Sequence, residues 1–128
     1  MNRLKQREQW RPFAPAVLEE DLLRHFSDSP DPSPYMLFNA LVKDPSLGAI
    51  THRDGSARVQ TVSENCGEFH RLLKYLRAQT GSSVVLNTSF NGPGEPVVDS
   101  PEDALLFFLS SDLDRLYLDG LIVDRTDR

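Results

Sequence analysis

The sequence predicts a mixed α/β (α+β) fold: a single domain over 1–128, with one twisted mixed sheet and about three helices. Three observations point there. Phe69, Leu72, Leu73 and Leu76 follow the i, i+3, i+4, i+7 spacing of an amphipathic helix. Short apolar, β-branched runs such as Val84-Val85-Leu86 have the length and composition of buried strands. Asp119-Gly120 interrupts a final apolar stretch in the way a hairpin turn does. A chain of 128 residues is long enough to bury one core.

In chain order, residues 1–14 form a basic, proline-containing arm ahead of a globular core over 15–128. Leu18, Leu22 and Phe26 stand at four-residue spacing, which predicts a short helix over 15–26. Three prolines in 27–34 predict a loop, and the apolar 35–42 a strand. The polar, glycine-containing 45–56 reads as a loop, and 57–62 as a strand alternating Arg58 and Gln60 with Val59 and Thr61. The helix around Leu73 stops at Gly81. Residues 83–86 predict a short buried strand. Ser100 and Asp103 approximate a capping box, with Pro101 suited to the first helical position. Residues 113–123 close the chain as a strand pair. Leu72, Leu73, Leu76, Val84, Leu86, Leu105 and Phe108 are expected in one core.

Composition excludes several classes of function. The net charge of −5 argues against broad nucleic-acid binding. No run approaches the roughly 20 apolar residues of a membrane span, and Met1-Asn2-Arg3-Leu4-Lys5 has no apolar signal core. Cys66 stands alone, so neither an internal disulfide nor a cysteine zinc site is expected. These features predict a cytoplasmic protein. Charge is unevenly spread: Arg3, Lys5, Arg7 and Arg11 are opposed only by Glu8, while Asp112, Asp114, Asp119, Asp124 and Asp127 mark the tail. A basic arm on an acidic protein suits one anionic ligand; the plainer reading is a solvated tail.

Three segments could carry chemistry. Leu86-Asn87-Thr88-Ser89-Phe90-Asn91-Gly92-Pro93-Gly94-Glu95-Pro96 packs asparagines, hydroxyls and glycines between a strand and a helix. A plain connector needs only about two to six residues, and α/β proteins place ligands at strand ends. Its bland alternative is a turn whose side chains bond their own backbone. In 7–15, Arg7 and Arg11 sit among prolines and aromatics, where a guanidinium can grip a phosphate or carboxylate bidentately. The alternative buries Trp10 and Phe13 and leaves both arginines in solvent. In 52–60, a donor-rich loop feeds a strand bearing Arg58 that could complete an anion site; taken in isolation, a surface hairpin is the favoured explanation. His25 and His70 read as ordinary helix residues, and no protein-built metal site is expected.

Taken in order, Arg11-Pro12-Phe13-Ala14-Pro15-Ala16-Val17-Leu18, Thr51-His52-Arg53-Asp54-Gly55-Ser56-Ala57-Arg58-Val59-Gln60-Thr61-Val62, and Leu86-Asn87-Thr88-Ser89-Phe90-Asn91 with Gly94-Glu95-Pro96 and Pro101-Glu102-Asp103-Ala104 carry a resemblance. They resemble the C-terminal domain of the nodulation-type O-carbamoyltransferases, a family that also acts on antibiotics. The resemblance spans nearly the whole chain.

The resemblance implies a YrdC-like α/β domain. In full-length members it is paired with an N-terminal domain of the actin-like ATPase superfamily. The C-terminal domain converts carbamoyl phosphate and ATP to carbamoyl adenylate, releasing pyrophosphate and phosphate. The N-terminal domain, usually with a bound iron ion, passes the carbamoyl group to a substrate hydroxyl. By resemblance, Lys5 and Arg11 fall at the positions that grip carbamoyl phosphate and nucleotide phosphate, and Arg58 is the arginine of the Asp-Gly-x-Ala-Arg segment. Asn91 ends the Asn-Thr-Ser-Phe-Asn turn, whose amide can bond carbamoyl or phosphate oxygens. Arg7, Asn87, Thr88 and Ser89 are implied as substrate-binding. ATP is implied as co-substrate, with Mg2+ accompanying it in the substrate complex. A separate N-terminal domain or a homodimer is the implied partner. Preorganised donors and charges are the main resource for such transfers.

Two departures qualify this. The family commonly has an arginine two residues after that asparagine, where this chain has Pro93, which offers neither charge nor N–H. A Gly-Pro-Arg-Ala-Leu-Gly segment precedes the Lys5 region in the family, and this chain begins after it, so the sequence reads as truncated at its N-terminus relative to the family. Complete transfer by the isolated chain is therefore not expected. Two further readings stay open: a non-catalytic remnant that binds a phosphate or nucleotide, and a protein-interaction domain that has lost the site.

Overall fold

A computed structural model describes residues 1–125; Asp127 of the acidic tail lies outside the described residues. The class is mixed α/β as expected, with its strands divided among three small sheets. The chain forms two compact units. One is continuous, Pro12–Thr88; the other joins Met1–Arg11 to the chain from Ser89 onward.

In the continuous unit, β1 (Ala14–Leu18) is the central strand of a three-stranded sheet. It runs parallel to β5 (Gln60–Val62) and antiparallel to β6 (Val85–Asn87). Flanked on both edges, it is buried from Pro15 to Leu18, hence its unbroken apolar run. The helix expected over 15–26 is a correction. Strand β1 is followed by a 3-10 turn (Glu19–Asp21) and only a four-residue helix, α1 (Leu22–His25). Leu18, Leu22 and Phe26 are all buried, but the end of one strand, a short helix and the start of another strand carry them inward. Their spacing of four residues reports burial on both structures.

The second sheet orders β2 (Phe26–Ser27), β3 (Asn39–Val42) and β4 (Ser56–Arg58), all antiparallel. The strand expected over 35–42 is confined to its last four residues. Met36, at φ +56°, leaves extended geometry, and Tyr35, Leu37 and Phe38 are exposed. The strand expected over 57–62 is two strands in different sheets, with the chain crossing between them at buried Val59. The segment expected as a loop over 45–56 begins with a 3-10 helix, Pro45–Ile50. Asp44 caps it by accepting from the Ser46 N–H at 2.9 Å. Helix α2 (Glu68–Thr80) ends where Gly81 adopts the left-handed conformation, as expected. Ser83, expected to start a strand, instead donates its buried hydroxyl to Asp21 at 2.7 Å.

Two apolar clusters hold this unit. Phe13, Val17, Leu22, Phe26, Ile50 and Val59 form one, and Ala16, Leu18, Val62 and Leu73 the other. Of the residues expected in one core, Leu73 is buried while Leu72 and Leu86 are exposed. His25 and His70 are helix residues, as expected, but both are buried: His25 Nδ1 lies 3.3 Å from Asp44 and His70 Nε2 3.6 Å from Glu20.

The other unit contains α3 (Pro101–Ser110) and the hairpin β7 (Arg115–Leu118) with β8 (Leu121–Asp124). The expected cap is present: Ser100 Oγ accepts from the Asp103 N–H at 3.1 Å and donates to its carboxylate at 2.8 Å. The hairpin turns at Asp119-Gly120, both with positive φ. Ala104, Phe108 and Leu116 form its core, with Phe90 and Leu105 packed against it. At the far end of α3, the Arg125 guanidinium donates to the carbonyls of Phe108, Leu109 and Ser111 and stacks over the Phe108 ring.

Candidate functional site

The basic arm folds back on itself. Asn2 donates to the carbonyls of Gln9 and Arg11 at 3.0 and 3.1 Å and accepts from Arg7 Nε at 2.9 Å. This overturns the solvated-tail reading for the arm. Arg11 is exposed, 3.7 Å from Glu8. Trp10 is 80% exposed, whereas Phe13 is buried within the Pro12–Thr88 unit.

Lys5 is the centre of the site. Its Nζ donates to Ser89 O at 2.5 Å, Asn91 O at 2.9 Å and Asn91 Oδ1 at 2.7 Å. Three oxygens satisfy the three donors of an ammonium, and all three are neutral. Its charge is therefore solvated but not neutralised by them. Partial burial, and then the charge of Arg7, hold the Lys5 pKa below its ordinary value. Burial likewise lowers that of Arg7, with Arg11 adding to the effect and Glu8 opposing it. The arm thus gathers like charges that repel one another.

The facing turn is built around Asn91. Its Oδ1 accepts from Ser89 Oγ at 2.7 Å as well as from Lys5, and its Nδ2 donates to Glu95 O at 2.8 Å. Glu95 also accepts the Gly92 N–H on its carboxylate at 3.1 Å. Pro93 and Gly94, the latter at φ +73°, occupy the centre of a tight turn closed by Glu95 N to Gly92 O at 3.3 Å. Turn chemistry therefore accounts for Pro93: its fixed φ suits the position before a left-handed glycine. A cleft of about 620 Å³ opens beside this turn, with Arg3, Pro93, Glu95, Phe107 and Asp112 in its lining.

Lys5, Ser89 and Asn91 are thus brought together, although Lys5 and Asn91 are 86 residues apart. Arg58, Asn87 and Thr88 belong to the other unit. Arg58 is exposed at the end of β4, opposite Asn39. The hairpin before it is tightly bonded: Ser56 donates its N–H and hydroxyl to Asp54 at 3.0 and 2.7 Å, and its Oγ lies 3.1 Å from His52 Nδ1. Those Ser56 bonds hold the Asp54 carboxyl below its usual pKa. Asn87 donates to Gln60 Oε1 at 2.5 Å, and Gln60 donates in turn to Pro34 O at 3.0 Å.

Sequence reasoning passed over Asn2, Gln60 and Glu95 as individuals. The last two lay inside the quoted motifs, and a carboxylate just after Pro-Gly was the available signal for Glu95. Among the described residues, no group of three His, Cys, Asp or Glu side chains could hold a metal ion.

A family described as the carbamoyltransferase C-terminus matches residues 1–125. The chain belongs to the carbamoyltransferase C-terminal family. It is 44% identical over 128 residues to nodulation protein NolNO of Sinorhizobium fredii, covering 95% of this chain and 19% of that protein. It is 41% identical over 126 residues to nodulation protein NolO of Bradyrhizobium diazoefficiens, covering 94% and 23%. With the 3'-hydroxymethylcephem-O-carbamoyltransferase of Amycolatopsis lactamdurans it shares 44% identity over 109 residues, covering 84% and 21%. The chain spans about a fifth of the length of these carbamoyltransferase-family relatives. No helix among the described residues is long and apolar enough to cross a membrane.

Proposed function

We propose that this carbamoyltransferase C-terminal module binds carbamoyl phosphate and ATP, that water cleaves carbamoyl phosphate to carbamate and phosphate, and that a carbamate oxygen attacks the α-phosphorus of ATP to form carbamoyl adenylate as pyrophosphate leaves. A separate N-terminal domain or partner chain then passes the carbamoyl group to a substrate hydroxyl. The observation that carries this reading is the Lys5 ammonium, held by three neutral oxygens beside the like-charged Arg7. A bound phosphate relieves that repulsion and replaces one neutral acceptor of Lys5, giving a charge-assisted hydrogen bond stronger than the neutral one it displaces. Arg11 adds to the same positive charge within the arm. ATP enters as its Mg2+ complex.

Titration calorimetry of the chain with carbamoyl phosphate, ATP-Mg2+ and inorganic phosphate tests this. Binding that weakens as salt rises is expected. Lys5→Ala should cost about ten- to a hundredfold in affinity, the range of a charged hydrogen bond. Pyrophosphate release that depends on carbamoyl phosphate, and rises when the N-terminal domain of a longer relative is added, would extend the result to catalysis. Absence of heat with all three ligands at millimolar concentration, in a folded chain, would overturn the proposal.

A further inference from the structure

We infer that Glu95 is a positioning residue: it locks the turn over 91–95 so that the oxygens of Asn91 face Lys5 and hold its ammonium at the anion site. The inference rests on the binding role proposed for Lys5. A side-chain amide has an oxygen face and an NH2 face, and only the former can accept from an ammonium. Asn91 Nδ2 is committed to the Glu95 carbonyl at 2.8 Å, so Oδ1 is turned toward Lys5 and Ser89. Reversing that amide would set donor against donor at Lys5 and acceptor against acceptor at the Glu95 carbonyl. The Glu95 carbonyl is itself fixed by the Glu95 carboxylate, which accepts the Gly92 N–H at 3.1 Å and closes the turn from its side-chain end. Gly92 leaves room for this: the three nearest atoms that a Cβ there would meet all belong to the Glu95 carboxyl group.

The sign of the effect separates positioning from charge. Removing a carboxylate near an anion site strengthens anion binding if charge alone matters. Positioning demands the opposite. Glu95→Ala should therefore weaken inorganic phosphate and carbamoyl phosphate binding by about five- to tenfold, the worth of one or two neutral hydrogen bonds. Glu95→Gln, which keeps an acceptor for the Gly92 N–H, should stay within about twofold of the native chain. Gly92→Ala displaces the carboxylate by another route and should reproduce the loss. The double variant Gly92→Ala/Glu95→Ala should be no worse than either alone, because both remove the same bond.

A readout independent of ligand accompanies these titrations: the rate of Lys5 acetylation by acetic anhydride, followed by mass spectrometry. It should rise in Glu95→Ala and Gly92→Ala and stay native in Glu95→Gln. Unchanged Lys5 acetylation in the first two variants, or phosphate affinity that rises in Glu95→Ala, overturns the inference. If the native chain binds no ligand, the proposed function fails while the acetylation rates still decide the role of Glu95.

Discussion

Asp44 shows how much one half-buried carboxylate can do. It caps the 3-10 helix that follows it through Ser46 and faces the buried His25 ring. The Ser46 hydroxyl and N–H bonds hold its pKa below the ordinary value, and His25 adds to them. A carboxyl whose folded pKa is depressed contributes stability that is complete above its unfolded value, about pH 4, and is lost as pH falls through the folded value. Ser46→Ala removes the largest cause but keeps the backbone N–H. The Asp44 pKa, followed by carboxyl NMR, should rise toward its ordinary value without reaching it, and acid unfolding should begin at higher pH. An unmoved Asp44 titration would show that Ser46 is not the cause. Such local bonds, two residues apart, are legible in a sequence as Asx-type caps. The partners of Lys5 are not: no local rule places an ammonium on carbonyls more than eighty residues away. Lys5 and Asn91 could be named only through a motif, and Glu95, which has no motif role of its own, was passed over.

At the scale of elements, helix α2 separates pattern from burial. Its apolar residues have the right period for a helix and the helix is there, yet Leu73 is fully buried while Leu72 is 58% exposed. Leu73→Ala should cost about 2–5 kcal/mol by loss of burial and cavity formation, and Leu72→Ala less than about 1 kcal/mol, measured by chemical denaturation. Equal midpoint shifts would refute the burial difference. Capped or turn-bounded elements were the most legible: α2 with Gly81, α3 with Ser100, and the closing hairpin with Asp119-Gly120. The misread segment, 15–26, failed because four-residue apolar spacing is ambiguous when a fully buried strand runs straight into a helical turn. The double strand at 56–62 failed for a related reason. A single period-2 run cannot reveal that its halves pair with different sheets.

At the scale of the molecule, the unit containing Lys5 is assembled from two distant stretches, Met1–Arg11 and the chain from Ser89 onward. If the arm is part of that unit, deleting residues 1–11 should lower hydrogen-exchange protection in α3 and the β7–β8 hairpin. Protection of α2 and the β1-centred sheet should change little, since their pairings lie within Pro12–Thr88. Unchanged protection in α3 would mean that the arm contributes nothing to its unit. The fold class and this family membership were both readable from the sequence. The division into units was not, because nothing in the composition marks a boundary between Thr88 and Ser89, in the middle of the most functional-looking motif.

This discontinuity sets a timetable for biosynthesis. Lys5 leaves the ribosome first, but its acceptors at Ser89 and Asn91 are made 84 and 86 residues later. Every strand pairing of Pro12–Thr88 becomes available in the meantime, so that unit is free to close early, as sequentially compact regions do. The Lys5–Asn91 cluster is then among the last features to mature, completed only after the closing turn at Glu95 has been synthesised. A nascent chain stalled just past Thr88 would carry a folded middle and an arm whose lysine still faces water.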